Sequence, residues 1–137
     1  MQAISHAPTV SLSKLWIGRI MSFLPALFLI LDAVMKFVKP AFVVEANVQL
    51  GYGENVIVPL GAVLLVITIL YLIPRTAVLG AILLTGYLGG AVATHVRVGA
   101  GVFPIVFAIV FGVLLWGGLY LRDPRVSALI PLSEPSA

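Results

Sequence analysis

The 137-residue chain is 61% hydrophobic and only 9% charged, with a mean hydropathy of +1.18. A soluble domain carries about 25% charged residues, so an ordinary soluble globule is excluded, as is a polar disordered chain, and an integral membrane protein remains. The net charge of +3 comes from eight scattered Lys and Arg against five acids, and cysteine is absent, so thiol chemistry and Cys-ligated metal are excluded within the chain.

A membrane span needs about 20 mainly apolar residues. Four segments qualify, and the expected fold is all-α: one transmembrane, four-span antiparallel helix bundle occupying residues 1–137 as a single domain. The first span covers about 15–38 and carries Arg19, Asp32 and Lys36. A cleaved signal peptide is the rival reading of this region. No small-x-small cleavage site follows the apolar stretch, and Asp32 and Lys36 interrupt the place where one belongs, so the span is expected to stay in the protein. Lys39-Pro40 closes it.

The connection 40–55 is the one long loop. Its apolar triplets, Phe42-Val43-Val44 and Val48-Gln49-Leu50, flank Glu45, and Gly51-Tyr52-Gly53 forms a hinge. Two readings fit it equally: a lid over the polar groups near it, or a plain connector. The second span covers about 56–73. Ile73-Pro74-Arg75-Thr76 then makes a tight turn, with Thr76 placed to cap the third span, about 76–94. Val98-Gly99-Ala100-Gly101 breaks the chain before the fourth span, about 102–121. Pro104 falls in that helix's first turn, where its missing N–H costs little, and Asp123-Pro124 ends it.

Four spans put both termini on one side. That side carries Lys14, Arg19, Arg75, Arg122 and Arg125; the other carries Lys36, Lys39 and Arg97. Basic residues collect on the cytoplasmic side, so both termini are expected in the cytoplasm. Trp16, Tyr71 and Tyr120 fall near the same face, where amphipathic rings settle. No basic stripe with interleaved aromatics is present, and nucleic acid is not an expected partner.

The third span is rich in small residues. Ala77, Ala81, Thr85, Gly89 and Ala93 recur every fourth position, with Gly86, Gly90 and Thr94 in a second row. Small residues let helices approach closely in lipid. The expected use is packing inside the bundle, with a homo-oligomer contact as the alternative. Gly112, Gly117 and Gly118 thin the fourth span for the same purpose.

The topology brings scattered polar residues to the face away from the termini. Asp32 and Lys36 stand near the end of the first span, His95 and Arg97 at the end of the third, and Glu45 and Glu54 in or beside the loop. Asp32 and Lys36 are four apart on a helix and can pair. Their two readings are a snorkelling lysine with its counter-ion, or an intramembrane binding or proton-transfer group. His95 could move protons near neutral pH, or be a satisfied residue at a helix end. Arg97 could hold a carboxylate, head group or quinone oxygen, or meet its own helix dipole. No metal-ligand spacing is present, and no metal is expected. Arg19 lies 13 residues before Asp32, about 20 Å along a helix. It cannot reach Asp32, and is expected at the interface or on carbonyls of neighbouring spans. No catalytic triad, Walker loop, dinucleotide glycine motif or HExxH motif occurs.

The run from Ile73-Pro74-Arg75-Thr76 through Thr85-Gly86-Tyr87-Leu88-Gly89-Gly90 to Thr94-His95-Val96-Arg97-Val98-Gly99 resembles the central signature of the DoxX-like family. Asp32 and Lys36, Gly51-Tyr52 and Leu121-Arg122-Asp123-Pro124-Arg125 extend the resemblance over about 15–125. It implies a multi-pass protein of the bacterial inner membrane with four helices. Some relatives of this kind are linked to thiosulfate:quinone oxidoreduction or to complexes that respond to thiol oxidation; more distant four-span relatives bind lipophilic molecules or assist membrane-protein assembly. Without cysteine, any redox work would need a quinone or a partner to supply the electron chemistry.

The leading expectation is therefore an intramembrane pocket for a lipophilic small molecule, with quinone as the suggested cofactor and Asp32, Lys36, His95 and Arg97 at its polar end. The alternative is a non-catalytic accessory or scaffolding subunit with a membrane-protein partner. A third reading, proton or solute transport, lacks a continuous polar track in the second and fourth spans. Whether the protein is an enzyme is left open.

Overall fold

The computed structural model describes residues 10–133. The expected N-terminal arm at 1–9 and the end of the tail at 134–137 lie outside it. Six helices follow in order: α1 (Leu12–Val38), α2 (Ala41–Gln49), α3 (Glu54–Leu72), α4 (Ala77–Val98), α5 (Val102–Arg122) and α6 (Pro124–Leu129). No strand occurs among the described residues. Helices α1, α3, α4 and α5 are long and apolar enough to cross a membrane. They form an up-down ring, in which α1 and α4 each pack on α3 and α5. The expected spans agree with these four helices, and α4 runs one turn further than its expected end at 94.

Local chemistry sets the ends. Ser11 opens α1, its hydroxyl accepting from the Lys14 amide at 3.4 Å. Lys39 closes α1 in the left-handed region (φ 53°), and its amide reaches Met35 O. Gly99 closes α4 at φ 65°, a conformation glycine adopts without a Cβ clash. Thr76 does not cap α4 with its side chain. Its hydroxyl donates back to Leu70 O at 2.7 Å, satisfying one of the carbonyls that the end of α3 leaves unpaired. Asp123 caps α6 by accepting from the Arg125 amide at 2.9 Å. The Arg125 side chain also hydrogen-bonds Asp123 and holds its carboxyl below the usual carboxylate range.

The outer surface of the four long helices is largely apolar: Phe23, Leu31, Val63, Val66, Ile82, Ile109 and Val113 are all exposed. A water-soluble protein rarely shows such a surface, whereas a lipid-facing one requires it. Inside, lipid offers no hydrophobic drive for helices to associate, so close backbone approach matters. It occurs mainly in the half of the bundle nearest the termini. A Cβ on Gly18 would lie 2.8 Å from Gly118 O, and one on Gly118 would strike Ser22 Oγ. A Cβ on Gly117 would meet Met21 at 2.9 Å, and one on Gly80 would run into the backbone of Tyr71. Tyr71 is fully buried, not an interfacial aromatic as expected from its position. Its hydroxyl donates to Leu115 O at 2.6 Å and lies 2.8 Å from Ser22 Oγ, tying α1, α3 and α5.

The small-residue rows of α4 do not pack inside the bundle as expected. Ala77 and Ala81 are buried, but Thr85, Gly89 and Ala93 are exposed. A Cβ on Gly86, Gly89 or Gly90 would meet nothing within 4 Å. The reason is helical phase. A four-residue step turns about 40° beyond a full revolution, so four steps carry the row about 160° round the helix. The inward face is instead Ala77, Gly80, Ala81, Leu84 and Leu88.

This distribution separates two glycine substitutions. Gly80→Ala should cost about 1–3 kcal/mol, as overpacking does. Gly89→Ala should stay within about 1 kcal/mol of the natural protein, because only helix propensity changes. Thermal melting of both variants in one detergent tests this, and equal midpoints would show that α3 and α4 do not meet so closely.

Candidate functional site

In the half of the bundle away from the termini, α1, α4 and α5 part around a cavity of about 590 Å³. The connection 40–55 is not an open loop there, because α2 forms within it. Phe42, Val43, Ala46 and Asn47 of α2 line the cavity, with Leu50 and Tyr52 just beyond. The excursion is fastened at its base by Lys39 Nζ, which lies 3.1 Å from Glu54 Oε1. Val43 and Asn47 turn inward and are buried, and Asn47 donates from Nδ2 to Val43 O at 2.8 Å.

The cavity wall has two characters. Most of it is apolar, and much of that is aromatic. Phe28 of α1 meets Phe107 and Phe111 of α5 edge-on, with centroids 5.4 and 5.1 Å apart. Phe107 and Phe111 are 4.5 Å apart. Phe103, Phe107 and Phe111 follow one another at four-residue intervals, a helical repeat that the sequence displays. The other end is polar. Asp32, Lys36, Tyr52, Thr94 and His95 line it, and Tyr87, half-buried, stands on the same face of α4 as Thr94.

Asp32 and Lys36 form the expected i, i+4 ion pair, at 2.5 Å. Burial is unequal: the Lys36 side chain is 10% exposed and that of Asp32 38%. Lys36 can lie so deep because Gly61 of α3 leaves room for its stem; a Cβ there would come within 2.8 Å of Lys36 Cβ and 3.0 Å of Ala33 O. Gly61 had no distinguishing signal in the sequence. An ammonium group placed this deep needs its carboxylate, since removal of one partner leaves an uncompensated charge.

His95 Nδ1 lies 2.7 Å from Ala91 O. A carbonyl only accepts, so Nδ1 carries the proton that is donated, which leaves Nε2 as the ring atom free to meet a ligand. One residue earlier, the Thr94 hydroxyl donates to Gly90 O at 2.8 Å. Its single hydrogen is thereby used, and the Tyr52 hydroxyl, 2.9 Å away, donates to it. This bond joins the segment after α2 to α4 across 42 residues.

Arg97 stands at the same end of the bundle but is not among the lining residues. Its guanidinium donates to Leu50 O at 2.8 Å. It crosses Gly51, where φ is +86° and a Cβ would lie 3.0 Å from the Arg97 terminal nitrogen. Glu45 is exposed on α2, away from the cavity. No group of three metal-ligating side chains is found among the described residues. Arg19, on the opposite face, lies over the Trp16 ring at 5.3 Å and is exposed.

Four apolar antiparallel helices enclosing one polar-ended cavity define a small multi-pass integral membrane protein. Residues 20–118, most of the chain, match the model of the DoxX-like family, and the protein belongs to it. No curated protein and no solved structure matches the chain.

Arg97→Ala should release the turn after α2 without disturbing the bundle. Hydrogen exchange at the Gly51 and Tyr52 amides should rise by about tenfold, as local opening becomes easier. Unchanged exchange there would mean that the Tyr52 to Thr94 bond holds the turn unaided.

Proposed function

We propose that this protein binds a lipophilic small molecule in the α1–α4–α5 cavity, and that a quinone is the class of ligand it fits best. The observation that carries this reading is the division of a single cavity into an aromatic wall and a polar end. Such a pocket suits a ligand with an apolar body and a few oriented polar atoms. A flat ring with a tail would lie along Phe28, Phe107 and Phe111. Its head would face Lys36, whose three N–H groups are not all taken by Asp32, so that a head carbonyl could accept from it. A hydroxyl on the reduced head would donate to His95 Nε2. Asp32 would hold Lys36 in place. Arg97 enters this reading as a positioning residue, through the turn it fixes at Leu50. Electrons, if any are moved, would come from the ligand and a partner, because the chain has no cysteine.

Equilibrium binding of a short-tailed ubiquinone analogue to the protein in lipid nanodiscs tests the reading. Asp32→Asn and His95→Ala should each weaken binding at least about tenfold, the worth of a hydrogen bond to a polar head in a dry site. Circular dichroism should show helical content unchanged. The same affinity in both variants and the natural protein would sink the proposal.

A second reading, an accessory or scaffolding subunit, is supported by one feature. Thr85, Gly89 and Ala93 leave an open, small-residue row on α4 outside the cavity lining, and such faces accept another helix closely. The partner would be a second copy or another membrane protein. Capture from native membranes in mild detergent should then yield a stoichiometric partner that Gly89→Leu removes; a monomer in both cases counts against it. We also place both termini in the cytoplasm of a bacterial cell, on the bias of basic residues alone. Reporters fused at the C-terminus, active on only one side, would reverse this placement if they signal from outside.

A further inference from the structure

A second cavity, of about 440 Å³, lies at the face shared by the termini, far from the first. Its lining includes Trp16, Arg19, Ile20 and Phe23 of α1, Leu72 of α3 and Arg122 of α5. We propose that it binds the phosphodiester of an anionic phospholipid, with the lipid's acyl chain on the apolar part of the same groove.

Charge is the first argument. Two guanidinium groups line the groove and no carboxylate does. Among the described residues, neither Arg19 nor Arg122 forms an ion pair; the acids Asp32, Glu54 and Asp123 are paired with Lys36, Lys39 and Arg125. Two cations without a direct ion-pair partner beside hydrocarbon favour an anion, although Asp123, next to Arg122 in the chain, offsets part of its charge. Guanidinium is the side chain best shaped for a phosphate, since it can donate two parallel hydrogen bonds.

Placement is the second. Arg122 is held at the bundle, not waving in solvent. Its Nε donates to Ser22 Oγ at 3.1 Å, and its guanidinium lies over the Tyr71 ring at 5.4 Å. Tyr71 is itself fully buried, so one edge of the guanidinium is fixed and its terminal nitrogens remain for a ligand. Arg19 is steadied by the Trp16 ring. Trp16 is near the start of α1, while Leu72 and Arg122 are the last residues of α3 and α5. This is head-group depth, where tryptophan rings also collect.

The apolar wall distinguishes a lipid from a free anion. Ile20 and Phe23 are 54% and 56% exposed and continue from the cationic end toward the bilayer interior along α1. Inorganic phosphate has no use for that surface; an acyl chain does. Anionic lipid is also the component that basic residues at a membrane surface attract.

The test is native mass spectrometry of the full-length protein, delipidated and then offered phosphatidylglycerol or phosphatidylcholine at equal concentration. Phosphatidylglycerol should be retained at least about fivefold better, and Arg19→Gln should remove about fivefold of that preference. Arg19→Lys should keep part of it. Arg125→Gln, which alters an exposed cation of the same face already paired with Asp123, serves as the control and should leave the preference intact. Arg122→Gln also loses its contacts to Ser22 and Tyr71, so Arg19→Gln carries the decision. Equal retention of the two lipids would overturn the proposal, as would an Arg19→Gln effect no larger than that of Arg125→Gln. Displacement of the lipid by millimolar inorganic phosphate would reassign the groove to a free anion.

Discussion

Backbone-to-backbone contact at one end of the ring governs the shape of the rest. Gly18 faces Gly118, Gly80 faces the Tyr71 backbone, and Gly117 admits Met21. In lipid these approaches take the place that hydrophobic burial has in water. Tyr71 locks them with a hydroxyl whose donation to Leu115 O is made inside the bundle, where an unsatisfied group would be costly. Helices drawn together so tightly at one end can be held apart at the other. The three phenylalanines of α1 and α5 do so, and the larger cavity is the result.

The scarce charges follow the same division. At the closed end, cations sit at the surface of the bundle, against Trp16 and Tyr71. At the open end, a lysine enters the bundle with its own carboxylate four residues earlier. Gly61 makes that entry possible by letting α3 lie against the lysine stem. Deep placement of an ammonium group is therefore a joint product of a helical repeat on α1 and a missing side chain on α3.

The four spans, the Asp32 to Lys36 pair and the placement of His95 at the same end of the bundle as that pair were all legible in the sequence. Hydropathy fixes the spans, the helical repeat fixes the pair, and antiparallel topology brings His95 to the same face. Other features were not legible, for identifiable reasons. The α4 glycines share a four-residue spacing with packing motifs, yet that spacing drifts round the helix, so that Gly86 and Gly90 border the cavity and Gly89 opens outside it. Tyr71 stands where an interfacial aromatic would, but the core takes it because Ser22 and Leu115 meet its hydroxyl. Helix α2 was hidden because it is short and its polar residues, Glu45, Asn47 and Gln49, fall at every second position, which is not a helical repeat. Arg97 was placed at the correct depth, but its partner, the Leu50 carbonyl, belongs to the backbone and leaves no trace in residue types.

Gly86 and Gly90 line the larger cavity and are exposed, with no side chain to close the wall beside them. The wall there is bare main chain in the middle of a membrane-spanning helix, so an opening beside it would border hydrocarbon instead of water. A molecule arriving by that side would come from solution in the bilayer. Its occupancy would then follow its concentration in the membrane, and oil–water partitioning would enrich greasy compounds before any side chain touched them. Discrimination among such compounds would fall to the few polar atoms at the far end. A shallow bulk affinity could in this way coexist with a well-filled site.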